Sequence, residues 1–569
     1  MISNQKTNFK LNQKVEENKI QNSQKTIRTP ILIATTLVVG ILIGATFFGG
    51  RRVGGDVSRS SNKFKEILTY INRSYVDSVN TDSLADYSIT KMLEKLDPHT
   101  YYFPPQEAHI ARSQLESGFD GIGVEFNVFN DTLYVVTPLA GGPSETVGVQ
   151  SGDAIIKANN NKLTGKDANS NNIFANLRGK RGTEVKLEIK RRGFKDLLKF
   201  TVVRDKIAQH SIDAAYLMED KKTAYIKINR FTETTYDEFK QHLSELKKQG
   251  MKQLLLDLRG NPGGFMDRAT DIVDELVGGK DIIVYTDGKD ARNNRKTFAG
   301  NDGMFEKGAI VVMVDEGSAS ASEIVSGSLQ DYDRALIVGR RTFGKGLVQQ
   351  PIQLSDGSEL RLTISRYYIP SGRSIQKPYQ KGHLENYENE LDDRSKSGEF
   401  FIADSIKNNP KMRFKTKGGR TVFGGGGVTP DIFVPRDTSH ITKYLLELYG
   451  KNMLREYALT YANTNRKTLE KQTFSAFLSN FMINDAMLEE IKKLAGNSEI
   501  KFNATEFARS KEFIKLQIKA NIARHIWQRN TKNGLNNEYY QIMYSQDTIF
   551  TTAIKQFNKA EKLEKEKKI

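Results

Sequence analysis

The sequence contains no cysteine in 569 residues. That excludes a thiol nucleophile, a disulfide framework and any metal site built on thiolates. It leaves the compartment open, because proteins on either side of a membrane can lack cysteine. Histidine is scarce as well. The seven histidines, at positions 99, 109, 210, 242, 383, 440 and 525, sit in no recognisable triad segment, and no Gly-x-Ser-x-Gly elbow occurs. Long apolar runs are missing except for one, Ile31 to Phe48, which is uncharged and mostly apolar. At 1.5 Å per residue it makes about 27 Å of helix, enough for a thin bilayer. The alternative is a cleaved signal peptide. The polar leader, residues 1–29, and the length of the apolar run both favour an uncleaved anchor over 30–49. Lys6, Lys10, Lys14, Lys19, Lys25 and Arg28 outnumber Glu16 and Glu17. The N-terminus is therefore expected in the cytoplasm and everything past residue 50 outside it, in the periplasm if the cell is Gram-negative. Arg51 and Arg52 oppose this orientation without reversing it. Gly40 and Gly44 have the spacing of a helix-dimer seam, which allows a homodimer.

What the chain does have is positive charge: 85 Lys and Arg against 68 Asp and Glu, a net +17. Hydrophobic residues make up 38%, an ordinary globular fraction, and the length suggests three or four domains. Residues 441–569 hold 22 basic against 14 acidic side chains. Such a surface suits nucleic acid, anionic lipid or an acidic partner, and equally a solvated helical face. No nucleic-acid motif accompanies it, so no nucleic-acid partner is expected.

Periodicity divides the chain. Residues 57–118 have helical spacing through Phe64, Ile67, Leu68 and Ile71, then Met92, Leu93 and Leu96, with Asp97-Pro98 as a stop. From Phe119 short strands alternate with turns, with one helix over 168–179, predicting a compact, partly open barrel over 119–205. From 206 to 437 strands at 223–228, 253–258, 309–314 and 334–339 alternate with helices at 235–249, 267–277 and 320–331. That pattern predicts an α/β domain whose sheet is buried on both faces. Residues 378–420 are polar and loop-like, and Gly424–Gly427 makes a flexible turn rather than a phosphate cradle, since no Gly-Lys-Ser/Thr follows. Residues 438–569 are helical and basic, with a solvated, fraying end.

Site chemistry concentrates in residues 315–350. Ser320 is expected where a strand turns into a helix, and free backbone N–H groups there stabilise an oxyanion. Ser320-x-x-Glu323 is also a helix capping box, and Ser318 is another candidate cap. With no histidine available, the candidate base is Lys345, between Gly344 and Gly346 just past the strand ending at Gly339. A desolvated lysine can act as a general base, whereas an exposed turn lysine cannot.

Together, GSASASE (317–323), QDYDRALIVG (330–339), TFGKGLVQ (342–349), DLRGNPGG (257–264), RYYIPSGRSIQ (366–376) and LDPHTYY (96–102) resemble the carboxyl-terminal processing, or tail-specific, serine peptidases. GIGVEF (121–126) and AGGPSETVGVQSGDAI (140–155) agree, and the resemblance covers roughly residues 60–435. It implies a crotonase-like α/β protease core with an inserted PDZ domain at 119–205. It makes Ser320 the nucleophile, Lys345 the base and Gln349 the residue holding the amine. The oxyanion hole would come from backbone N–H groups of Ala321, Gly263 and Gly264, with Glu323 and Asp331 behind the catalytic groups. The PDZ loop Gly121, Ile122, Gly123 and Val124 would receive a peptide carboxylate, and Arg178 would couple that docking to the active site. No cofactor or metal is implied. The expected substrates are extracytoplasmic polypeptides with accessible, apolar C-termini. Two rival functions remain at this level: a PDZ scaffold that binds C-termini without cutting, and a basic protein that binds anionic envelope polymers.

Overall fold

The computed structural model describes residues 34–38, 40 and 55–566, apart from 114–117, 130, 140, 192, 209, 301 and 528–534. The leader 1–29 and most of the expected anchor lie outside the described residues; 34–38 and 40 are helical and exposed. Among the described residues, no helix is long and apolar enough to cross a membrane. The chain divides into two compact units, residues 1–88 and 89–569. In the first, the helix Gly55–Ser74 carries its apolar residues at helical spacing and leaves Val57, Phe64, Ile67 and Tyr70 exposed.

The second unit is built on a six-stranded sheet. Its order is Ile212–Leu217, Thr223–Ile228, Gln253–Asp257, Ile310–Val314, Ala335–Gly339 and Ile432–Phe433. The first pair is antiparallel and every later pair parallel. The central strands are buried at almost every position, as near-continuous apolar runs require. Helices Thr235–Lys248, Met266–Leu276 and Ala321–Asp331 pack on one face. The opposite face is covered by the end of the chain, in helices Thr548–Ile554 and Phe557–Lys565. Their Ile549, Phe550, Ala553, Phe557 and Ala560 lie against Tyr225, Leu255, Val311, Met313 and Val338. The expected solvated end agrees with residues 561–566, which are largely exposed, whereas Ala560 and the helices before it are buried on the sheet. Between the lysines, Phe557 and Ala560 stand three apart and form an apolar stripe that the sheet buries.

A second sheet flanks the first. In it Leu347–Gln353 pairs with Glu359–Tyr368, which also pairs with Ile282–Asp287 and with Tyr101–Phe103. The all-helical expectation for 57–118 is corrected here. The helix stops as Asp97-Pro98 directs, but Tyr101–Phe103 then finds the open edge of Glu359–Tyr368 and becomes a strand. Residues 378–420 are also more ordered than expected, with helices Leu384–Glu388 and Glu390–Lys396 and a hairpin of Arg413–Lys415 with Thr421–Phe423. The four-glycine run is a fixed turn, because Gly425 and Gly427 donate their N–H groups to the Ser374 and Ile375 carbonyls at 2.7 and 2.8 Å. Such main-chain pairing leaves no mark in side-chain composition.

Residues 119–205 form a small sheet in the order Val124–Phe129, Thr132–Pro138, Ala154–Ala158, Glu184–Lys190 and Leu198–Val203. The helix Ser170–Leu177 packs against it, capped by the Asn169 side chain. Strands Gly118–Gly121 and Asp205–Ala208 pair at its base. Helices Lys443–Gly450, Met453–Leu469 and Ala504–Trp527 share a core of their own. They also reach this domain: Asn452 Nδ2 donates to the Val135 and Val136 carbonyls at 3.2 and 3.3 Å, and Arg455 pairs with Glu125 at 2.8 Å. The basic C-terminal region therefore ties the small domain to the core. Replacing Phe550 by alanine should lower stability by about 3 kcal/mol, the usual cost of emptying a buried aromatic site. The check is a denaturant or thermal unfolding curve, and an unchanged midpoint would show that the tail does not hold the sheet.

Candidate active site

Three neighbouring parallel strands end at the same edge of the main sheet, where open α/β sheets place their sites. Gln253–Asp257 leads into the Asn261–Gly264 turn, Ile310–Val314 into Ser320, and Ala335–Gly339 into Lys345. Register pairs Val314 with Gly339, so the turns carrying Ser320 and Lys345 leave the sheet side by side. The turns are stitched together. Ala319 N–H and Ser322 Oγ donate to the Asn261 carbonyl at 3.0 and 2.9 Å, Ser318 Oγ donates to the Leu258 carbonyl at 2.9 Å, and Phe343 N–H donates to the Ser318 carbonyl at 3.0 Å.

Ser320 has φ +54° and ψ −112°, outside the regions an ordinary serine adopts. Such a conformation persists only where neighbours over-determine it. Glu323 is the main determinant. Its carboxylate, fully buried, accepts the Ser320 N–H at 2.8 Å, the Lys345 N–H at 2.8 Å, the Gly344 N–H at 2.7 Å and the Thr342 hydroxyl at 2.5 Å. One side chain thereby fixes both the serine turn and the lysine turn. The capping reading of Glu323 and the catalytic-site reading coincide. Burial pushes its carboxyl up to about 7, against the pull of these four donors. Tyr367 adds a second brace: its hydroxyl lies 3.1 Å from the Ser320 carbonyl and 2.6 Å from the Lys345 carbonyl, as donor to both.

Lys345 reaches the cleft with its amine donating to Gln349 Oε1 at 2.9 Å. Burial brings its pKa down to about 8; the nearby Arg361 adds to this, and Glu323 and Asp97 oppose it. Gln349 Nε2 donates in turn to the His99 carbonyl. Among the described residues, no hydrogen bond joins Ser320 Oγ to Lys345 Nζ. Both line one cleft of about 560 Å³, with Ala111, Met266, Ile324 and Leu347 on its apolar part and Arg112, Arg230, Arg361, Glu233 and Glu359 around it.

The oxyanion donors need one correction. Gly263 N–H is occupied by Asn261 Oδ1 at 2.9 Å, because the buried Asn261 side chain turns back to brace its own loop. Ala321 N–H and Gly264 N–H are not taken by other described groups. Only glycine fits at 263 and 264. A Cβ on Gly263 would stand 2.8 Å from Ser320 Cβ, and one on Gly264 would stand 1.9 Å from the Phe231 carbonyl oxygen.

Asp331 lies at the far end of the serine helix, where it pairs with buried Arg373 at 2.9 Å and accepts the Ser371 N–H at 3.0 Å. It anchors the segment after Tyr367 and does not line the cleft. Arg178 also stands apart. It caps the helix Ser170–Leu177, bridges to Gly121, and stacks its guanidinium over Phe119 and Phe174 at 4.1 and 4.5 Å. In the Gly121–Val124 loop, Ile122 is buried in the small domain's own core, so the loop offers backbone there rather than an apolar side chain. Sequence reasoning assigned no role to Asn261, Thr342, Tyr367 or the His99 carbonyl. All four lie in motifs already singled out, so their clustering was the available signal.

Glu323→Gln turns an acceptor of four bonds into a group with two N–H of its own facing donors. An unmet buried donor costs about 1–3 kcal/mol. The variant should lose most peptidase activity and unfold at lower temperature, checked by casein digestion and a thermal melt. Full activity would remove Glu323 from the machinery.

Residues 222–385 match the model of peptidase family S41, residues 121–203 that of a PDZ domain, and residues 444–528 that of a family of unknown function. A carboxy-terminal-processing protease of Bartonella bacilliformis is 34% identical over 318 residues, covering 55% of this chain and 72% of that protein. A CtpA-like serine protease of Staphylococcus aureus is 32% identical over 353 residues, covering 61% and 69%. The carboxy-terminal processing protease CtpB of Bacillus subtilis is 32% identical over 321 residues, covering 56% and 66%. With its S41 core, its PDZ domain and these relatives, the chain belongs to the carboxy-terminal processing protease family and is a serine peptidase.

Proposed function

We propose that this peptidase works through Ser320 and Lys345 alone, without a histidine. The observation that carries the reading is the half-buried amine of Lys345, set beside the Ser320 turn by Glu323 and held by an uncharged acceptor, Gln349. Neutral Lys345 takes the Ser320 proton as Oγ attacks the scissile carbonyl, and the Ala321 and Gly264 N–H groups receive the oxyanion. The ammonium then protonates the leaving amine. Water, deprotonated by the same amine, hydrolyses the ester and restores Ser320. Substrate binding has to bring Ser320 Oγ and Lys345 Nζ together, as apo sites commonly tighten on complex formation.

Ser320→Ala and Lys345→Ala should each abolish proteolysis in a folded protein, because nucleophile and base act as one unit. The base is competent only when neutral. Activity should therefore rise about tenfold per pH unit below 8 and level off above it. A rate independent of pH between 6 and 8 would remove Lys345 from the role of base. An inactive parent protein with intact peptide binding would favour the scaffold function instead.

Substrates, in this reading, are polypeptides with free, apolar C-termini that join the edge strand Val124–Phe129, with Gly121–Val124 donating to the terminal carboxylate. Bonds to a charged group are the strong ones, so amidating the tail should weaken recognition roughly tenfold or more. Cleavage rates of one polypeptide with a free tail, an amidated tail and a terminal Asp supply the test; equal rates would leave the PDZ domain a structural part. The hydropathy of Ile31–Phe48 supports a single-pass anchor with the catalytic part outside the cytoplasm, and Gly40 and Gly44 on that segment support pairing of two copies. A reporter fused after residue 60 and found inside the cell would reverse that topology.

A further inference from the structure

The segment Asp97–Thr100 meets Gln349, the partner of the Lys345 amine, through a main-chain atom. Its His99 carbonyl accepts from Gln349 Nε2, while Gln349 Oε1 accepts from Lys345 Nζ at 2.9 Å. A carbonyl oxygen can only accept, so whatever meets it must be the amide's NH2 end. The Gln349 oxygen is thereby directed at the lysine.

That direction matters for the chemistry. A neutral amine has two N–H bonds and one lone pair. An oxygen facing it engages an N–H and leaves the lone pair for the Ser320 proton. A flipped amide would present an N–H to the lone pair itself and compete with Ser320 for it.

The segment is held in register with Gln349. The Asp97 carboxylate accepts the His99 N–H at 2.8 Å, the Thr100 hydroxyl at 2.6 Å and the Thr363 hydroxyl at 2.9 Å. Thr363 N–H donates to Thr100 Oγ1 at 3.2 Å. Thr363 is also the cross-strand partner of Gln349. The His99 ring is anchored in place, its Nε2 hydrogen-bonded to the buried Tyr387 hydroxyl at 2.7 Å, and burial brings its pKa down to about 3. His99 thus stays neutral near physiological pH and contributes its carbonyl rather than its ring.

We propose that Asp97 and Thr363 are positioning residues for the base: they fix the His99 carbonyl, which sets the Gln349 amide with its oxygen toward Lys345. The inference rests on Lys345 being the base, as proposed above.

The test is a double-mutant cycle read on the acylation of Ser320 by a p-nitrophenyl ester, followed as the nitrophenolate burst. Thr363→Val, which changes no charge, should slow acylation roughly threefold, and Asp97→Ala roughly tenfold or more, with the ester's apparent binding constant unchanged. Thr363→Ser, which keeps the hydroxyl, should restore the parent rate. In a Gln349→Met background, which has no amide to orient, Thr363→Val, which leaves every charge in place, should change the rate by less than about twofold. Equal losses in both backgrounds would overturn the proposal, since the segment would then act by some route other than Gln349. If Asp97→Ala does not fold, judged by circular dichroism, Thr363→Val carries the cycle. Lys345→Ala in the same assay separates the two levels. Acylation at the parent rate in that variant would overturn the base assignment, whereas its loss alongside an additive cycle would overturn only the orienting role.

Discussion

Glu323 accepts hydrogen bonds from two turns that belong to different strands, and it is the one carboxylate that both turns share. Ser320 sits at a positive φ, and the Gly344–Lys345 turn has little side-chain volume to pack. Without an acceptor between them, their inward-facing N–H groups would be buried and unpaired, at a cost comparable to a lost hydrogen bond each. The carboxylate satisfies them together and in doing so sets the distance between the two turns. Tyr367 repeats the logic with opposite polarity, supplying a donor to one carbonyl from each turn. A donor network and an acceptor network thus converge on the same pair of residues.

This brace works because the platform beneath it cannot shift. Parallel strands Gln253–Asp257, Ile310–Val314 and Ala335–Gly339 are sealed on one face by the helices that follow them and on the other by the last helices of the chain. The same C-terminal region grips the PDZ domain through Asn452 and Arg455. Residues far from the site in sequence therefore contribute to the rigidity of the sheet edge and to the placement of the PDZ domain.

How much of this was legible beforehand follows from the kind of interaction involved. The buried strands announced themselves as apolar runs; Ser320 at a helix start and Lys345 in a glycine-flanked turn were candidates, and the family resemblance singled them out. The PDZ boundaries were visible as a change of period near Phe119. What escaped were contacts with no periodic signature: Tyr101–Phe103 finding a sheet edge more than 250 residues away, Asn261 occupying the Gly263 N–H, and glycines of 424–427 pairing through main-chain atoms. That the last helices cover the sheet escaped for another reason. Their lysines dominate composition, whereas two or three apolar residues at helical spacing decide which face is buried.

Lowering the pKa of a buried lysine demands more than removing water, since any free carboxylate nearby would pair with the ammonium and hold it charged. Two carboxylates do lie close enough to act on Lys345, those of Glu323 and Asp97. Both are already committed. Glu323 accepts four donors from the two turns, and Asp97 accepts three from its own segment and Thr363. With their oxygens turned to these groups, the hydrogen-bond partner left for the amine is the amide oxygen of Gln349, which carries no charge. Desolvation then outweighs the residual attraction. The bonds that hold the two turns together and the bonds that fix the Asp97–Thr100 segment are thus also what leaves the Lys345 amine beside an uncharged partner.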